Sequence, residues 1–114
     1  MTLLLRPTGG PPLRTVFLDL GDTLMYIRPS VPELYLSAAR DLGLDVDATA
    51  VSHALGTGER HYQDALRTGR TFESSATEAR AFWHEYHGLV VGDLGVQPGA
   101  RRDALAQQLS ERFW

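Results

Sequence analysis

The chain has 114 residues, enough for one small domain, and contains no Cys, which excludes disulfides, thiolate metal sites and Cys nucleophiles. Its net charge of −3 is spread along the sequence and argues against a nucleic-acid partner, because nucleic acids are bound by clustered Lys and Arg side chains. No apolar run approaches the ~20 residues of a membrane span, and the run Leu3–Leu5 is too short for a signal peptide, so we expect a cytoplasmic protein with no membrane partner.

The N-terminal part is predicted to hold a tail and then a β-strand. Residues 1–13 are expected to be a flexible tail, since the run Thr8-Gly-Gly-Pro-Pro12 breaks helices. The strand is predicted at about residues 14–19, because the apolar run at 16–18 has the branched and aromatic character that suits a buried strand. This run places Asp19 at the carboxyl end of the strand.

A turn is predicted directly after Asp19. Gly21 and Asp22 are turn formers, so the chain leaves the sheet at this point. In open α/β sheets, ligands bind outside the carboxyl ends of the strands, and the backbone N–H groups of a turn there can bind an anion. Asp19 can therefore present a carboxylate nucleophile beside a bound phosphate. The alternative is that Asp19 only caps a turn.

The rest of the chain is predicted to form four helices. The first covers about 31–42, begins at the N-cap Ser30 and ends at Gly43. The second covers about 48–68 after Asp47, with two central glycines that each weaken it by about 1 kcal/mol relative to Ala. The third begins at the capping box Ser75-Ala-Thr-Glu78 and ends at Gly95, and the fourth begins at Pro98. The inward faces are predicted to carry Leu34, Ala38 and Leu42 in the first helix, Phe82, Tyr86, Leu89, Val90 and Leu94 in the third, and Leu105, Leu109 and Phe113 in the fourth.

Two histidines share a face of the third helix, in the run His84-Glu-Tyr-His87. A zincin motif needs His-Glu-x-x-His, and this run is one residue short of it. We therefore expect surface or packing roles for His84 and His87 rather than a metal site.

The run Asp19-Leu20-Gly21-Asp22-Thr23-Leu24 resembles the first motif of the haloacid dehalogenase (HAD) superfamily of hydrolases. That motif is a hydrophobic strand followed by Asp-x-Asp-x-Thr-Leu/Val. The first Asp, the Thr and the Leu fall where the family has them. The place of the second Asp is held by Gly21, and Asp22 lies one residue further on.

The resemblance implies an α/β family fold, a HAD-like Rossmann-type core with an inserted helical cap. Within it this chain would be mostly α-helical, with one β-strand carrying the first motif. Residues 14–30 would be the first strand, nucleophile motif and flap of an incomplete core, and residues 31–114 would be the helical cap. The resemblance covers about residues 14–114, but only the first motif is specific.

By the same resemblance, Asp19 is the nucleophile that attacks phosphorus, and Mg²⁺ binds the Asp19 carboxylate and the backbone carbonyl of Gly21. The backbone from Leu20 to Asp22 would hold the phosphate, and Thr23 would hold the shape of the turn. Gly21 cannot supply the acid–base catalysis of the family's second Asp, which is worth about 10² to 10⁴ in rate. Whether Asp22 replaces it stays open.

Tyr26 and Arg28 follow the motif where the family has a mobile flap, so either can touch the substrate, although Arg28 also fits a solvated charge. The Ser or Thr, the Lys and the acidic pair of the later motifs are not recognisable. The sequence leaves open whether it comes from a truncated, split or fragmentary protein.

The leading hypothesis is therefore the N-terminal portion of a HAD-like hydrolase that uses an Asp nucleophile and Mg²⁺ on a small, phosphorylated metabolite. It would be inactive alone, and its unpaired strand would need self-association or a partner that carries the missing half. The alternatives are a non-catalytic helical binding module that retains a relic of the motif, and a mainly helical domain whose match is accidental.

Overall fold

The computed structural model describes residues 10–12, 14–19 and 28–113. Four α-helices follow one another in these residues, as the sequence predicts: α1 (Val31–Asp41), α2 (Ala48–Arg67), α3 (Ala76–Asp93) and α4 (Ala100–Phe113). None of the described helices combines the length and the apolar character needed to cross a bilayer.

The predicted β-strand at about residues 14–19 is wrong, and with it the α/β character expected from this strand. Residues 14–19 form no regular element, and every regular element in the described ranges is a helix. The side chains that were expected to be buried are open to solvent: Val16 is 72%, Phe17 92% and Leu18 69% exposed. Branched and aromatic residues form a strand where a neighbouring strand accepts their hydrogen bonds and a core covers one face. The described part of the chain provides neither.

Local capping fixes where the helices begin. Ser30 caps α1 through a full capping box, in which its hydroxyl accepts the N–H of Glu33 and the Glu33 carboxylate accepts the N–H of Ser30 at 2.7 Å. Ser75 caps α3 by accepting the N–H of Glu78 at 3.1 Å, but the Glu78 carboxylate accepts the hydroxyl of Ser74 instead of closing the predicted box. Both starts agree with the prediction from the sequence.

Helix α3 lies at the centre of the packing, with α2 and α4 against it, and α1 packs against α2. Leu34, Leu89 and Phe113 were predicted to face inward, but they are 38%, 41% and 39% exposed. Tyr35 takes the interior position beside Leu34, and Val90 takes the one beside Leu89. The main core consists of Tyr35, Ala38, Ala39, Leu44, Val51, Ala54, Val90, Val91, Val96, Leu105 and Leu109. A second, smaller cluster consists of Ala65, Phe72 and Phe82.

Gly58, one of the two central glycines of α2, has a packing role that helix propensity alone does not predict. Gly58 is buried, and a Cβ added to it would lie 2.5 Å from the ring of Tyr86 on α3. Gly56, two residues earlier, has only the side chain of Arg60 within 4 Å of such a Cβ, at 3.7 Å. Gly58 therefore allows α2 to approach the aromatic face of α3, which a larger residue would prevent.

Candidate functional site

The predicted nucleophile segment is described only in part. Asp19 is exposed at the end of the segment 14–19. Arg28 is exposed two residues before the N-cap of α1, and it forms no ion pair with another described residue. The predicted phosphate-binding residues and the second flap residue lie outside the described residues: Leu20, Gly21, Asp22, Thr23 and Tyr26.

Of the two predicted Mg²⁺ ligands, only Asp19 lies among the described residues. The Asp19 carboxylate is a hard oxygen donor of the kind that Mg²⁺ prefers. The carbonyl of Gly21 belongs to the undescribed residues. Within the described ranges there is no group of three His, Cys, Asp or Glu side chains that could hold a metal ion.

A pocket of about 240 Å³ opens beside the first turns of α1. Its walls come from α1, α2, α3 and α4, and they are mostly apolar or aromatic. Such a surface with a few placed polar groups is typical of sites for small ligands. The described residues that line it are Val31, Tyr35, Leu55, Trp83, Tyr86, His87, Ser110 and Phe113.

The polar centre of this pocket is a buried pair formed by Tyr35 and His87. The Tyr35 hydroxyl lies 3.1 Å from Nδ1 of His87, and the two side chains are almost fully buried. Burial, assisted by the nearby His84, lowers the pKa of His87 to about 4, so the imidazole is neutral at pH 7. Burial likewise raises the pKa of the Tyr35 phenol above its usual range. The pair therefore offers hydrogen bonds to a ligand but neither a charge nor a general base near pH 7.

Three rings of the pocket lie nearly parallel. The rings of Tyr35 and Phe113 are 5.5 Å apart with an interplanar angle of 8°, and the ring of His87 is inclined by 21° to Tyr35 and by 20° to Phe113. Aromatic pairs prefer such offset stacking. The three rings therefore stack on one another in the wall of the pocket.

Sequence reasoning missed Tyr35 and considered His87 only for a surface or packing role. A signal for His87 was present, because it precedes Val90 and Val91 by three and four residues and so belongs to their buried helix face. Its partner Tyr35 lies 52 residues away in the sequence, and no local pattern connects the two. The expectation of a packing role for His87 agrees with its burial.

Comparisons with protein-family models, with curated proteins and with solved structures found no match to this chain.

Proposed function

We propose that the chain supplies the nucleophile segment and the helical cap of a HAD-like hydrolase that acts on a small, phosphorylated metabolite in the cytoplasm. The observation that carries the proposal is the order of its parts. The motif around Asp19 is followed directly by four helices, and Val31 and Tyr35 at the start of this helical unit line its apolar pocket. A pocket that follows the motif so closely suits a cap that covers a substrate.

Asp19 would attack the phosphorus of the substrate through a carboxylate oxygen, expelling the alcohol, and water would then hydrolyse the aspartyl-phosphate. The backbone N–H groups from Leu20 to Asp22 would hold the phosphate oxygens, and Thr23 would keep the turn in shape. When bound at Asp19 and Gly21, Mg²⁺ would supply charge neutralisation for the phosphate.

The flap residues Tyr26 and Arg28 would touch the substrate from the side of the cap. Gly21 offers no side chain to protonate the leaving group, so this step depends on Asp22 or on a group outside the chain. Without such a group the step would be slower.

The exposed segment at 16–18 supports a role for a further partner. Three adjacent large apolar side chains in solvent are costly, and their burial would favour either self-association or a partner that carries the rest of the catalytic core. We therefore expect catalysis only when such a partner is present, and none from the isolated chain.

The test is binding of a phosphate mimic, beryllium fluoride with Mg²⁺, followed by ¹⁹F NMR. We expect a bound fluoride signal with the wild-type chain and none with Asp19→Asn. Asp45→Asn is the matched control, because Asp45 is also an exposed aspartate outside a helix. The proposal fails if wild-type protein shows no bound signal, or if Asp19→Asn keeps it.

The second candidate is a non-catalytic helical binding module with a relic of the motif. The exposure of residues 14–19 favours it, since the four helices bury their core without this segment. The ¹⁹F NMR experiment with beryllium fluoride distinguishes the two candidates, because a relic binds neither Mg²⁺ nor the fluoride at Asp19. A read of the coding DNA beyond Trp114 adds an independent check, since the enzyme hypothesis expects the later HAD motifs there.

A further inference from the structure

A second pocket adjoins the apolar one along the contact between α3 and α4. It has a volume of about 410 Å³ and is lined by Arg80, Gln107, Ser110 and Glu111. Ser110 also lines the apolar pocket, so the two pockets meet at its side chain. A polar and an apolar space are thereby placed side by side on one face of the protein.

The polar pocket holds a cationic group that has no counter-ion among the residues that the structure describes. Arg80 makes no ion pair or hydrogen bond within the described part of the chain. Arg80 is also exposed, so its guanidinium can be reached by a ligand from solvent.

The carboxylate of Glu111 has a hydrogen-bond partner among the described residues, whereas the guanidinium of Arg80 has none. The Glu111 carboxylate accepts a hydrogen bond from Gln107 Nε2 at 2.7 Å. Because Gln107 already donates to Glu111, Arg80 is the charged group of this pocket that is available to an added anion, and a guanidinium binds carboxylates well.

We propose that these adjoining pockets bind a small planar aromatic acid, with its ring in the apolar pocket and its carboxylate at Arg80. The ring would contact the rings of Tyr35 and Phe113, which line the apolar pocket, and the acid would pass Ser110 to reach the guanidinium. This site requires neither Asp19 nor Mg²⁺, so it stands apart from the proposed hydrolase function.

The size of the apolar pocket sets the size of the ring. An engineered cavity of about 150 Å³ accepts benzene, so a pocket of about 240 Å³ has room for a bicyclic ring. The neutral imidazole of His87 suits an uncharged ring, since it brings no charge that the ring would have to compensate. The acid belongs at the polar end, because the described residues that line the apolar pocket include no cation to receive it.

The experiment compares 2-naphthoate with the neutral 2-naphthalenemethanol by isothermal titration calorimetry at pH 7. We expect the acid to bind about tenfold more tightly, as a charge-assisted hydrogen bond implies. Arg80→Gln should remove this preference and leave the alcohol's affinity unchanged. Arg101→Gln is the matched control, because Arg101 is also an exposed arginine but lies on α4 and does not line the polar pocket. This variant should keep the preference for the acid.

The position of the ring is tested without a variant, by nuclear Overhauser contacts between naphthyl protons and the rings of Tyr35 and Phe113. Contacts to both rings support the site. The proposal is overturned if neither compound binds at millimolar concentration, if both bind equally well to wild-type protein, or if Arg80→Gln keeps the preference. Contacts to other aromatic rings alone would also overturn it.

Discussion

Tyr35 on α1 and His87 on α3 share a buried hydrogen bond of 3.1 Å that joins the first helix to the central one. The Tyr35 hydroxyl donates to Nδ1 when the imidazole carries its proton on Nε2. A polar pair in an otherwise apolar interior is stable only while each member satisfies the other. The stability of the fold therefore depends on this hydrogen bond and on the protonation state of His87.

Tyr35→Phe should lower the free energy of unfolding by about 1–2 kcal/mol, since it leaves the buried His87 nitrogen without a donor. Thermal unfolding followed by circular dichroism measures the change. Tyr62→Phe is the matched control, because the Tyr62 hydroxyl makes no hydrogen bond with the described residues while its ring also packs in an aromatic cluster. Equal melting temperatures for the two variants would contradict the role assigned to the Tyr35 hydroxyl.

Stability should also fall as the pH is lowered from about 6.5 to 4, because His87 resists protonation in the folded protein. An unfolded His has a pKa of about 6.5, whereas burial lowers the pKa of His87 to about 4. Between these values the unfolded chain binds the extra proton and the folded chain does not, so acid favours unfolding. The loss approaches about 3 kcal/mol near pH 4 and is absent above pH 7.

His87→Gln should flatten this pH dependence in urea titrations between pH 7 and pH 4. The amide stays neutral and can still accept the Tyr35 hydroxyl. His53→Gln is the control, since its side chain is exposed and lies 3.6 Å from Asp93. If His53→Gln flattened the profile and His87→Gln did not, the acid sensitivity would belong to the surface rather than to the pocket.

The two central glycines of α2 should respond to alanine in opposite directions. Gly56→Ala is expected to stabilise the protein by about 0.5–1 kcal/mol, because it improves helix propensity and meets only a flexible arginine side chain. Gly58→Ala should destabilise it by about 1–3 kcal/mol, because its Cβ would overlap the Tyr86 ring. Urea unfolding of the two single variants checks both signs, and a stabilising Gly58→Ala would refute the packing role.

Helix starts and stops were predictable because they depend on neighbouring residues. Ser30, Asp47 and Ser75 accept backbone N–H groups within three residues, and Gly43 and Gly95 adopt the positive φ that ends a helix. The sequence carries these signals within a single turn. Predictions of this kind need no knowledge of the tertiary packing.

The failures have the opposite origin. The run at 16–18 has strand propensity, but a strand depends on a distant partner that the described chain does not supply. The pocket was equally hidden, since the contact between Tyr35 and His87 depends on how α1 packs near α3. Gly58 was counted only as a weak point of α2, because its partner Tyr86 lies on another helix.

The ion pair between Arg70 and Glu85 should contribute little to stability, although its geometry is bidentate. Arg70 donates to the two carboxylate oxygens at 2.6 and 3.0 Å, and its guanidinium also lies over the ring of Phe82. The hydrogen bond from Arg70 is the main cause that lowers the pKa of Glu85, so the contribution is present above about pH 4.5 and is lost in acid. With both side chains more than a third exposed, solvent screens most of this attraction.

A double-mutant cycle of Arg70→Gln and Glu85→Gln should give a coupling energy of about 0.5 kcal/mol at low salt, falling towards zero in 1 M NaCl. The cycle of Arg112→Gln and Asp41→Asn is the matched comparison, because that pair is similarly exposed but has a single contact at 2.7 Å. Its coupling should be smaller, since one hydrogen bond replaces two. A coupling above about 2 kcal/mol that persists in 1 M NaCl would contradict this prediction, because it would mean that Arg70 and Glu85 form a desolvated pair. The stacking of Arg70 on Phe82 would then explain why solvent does not screen the pair.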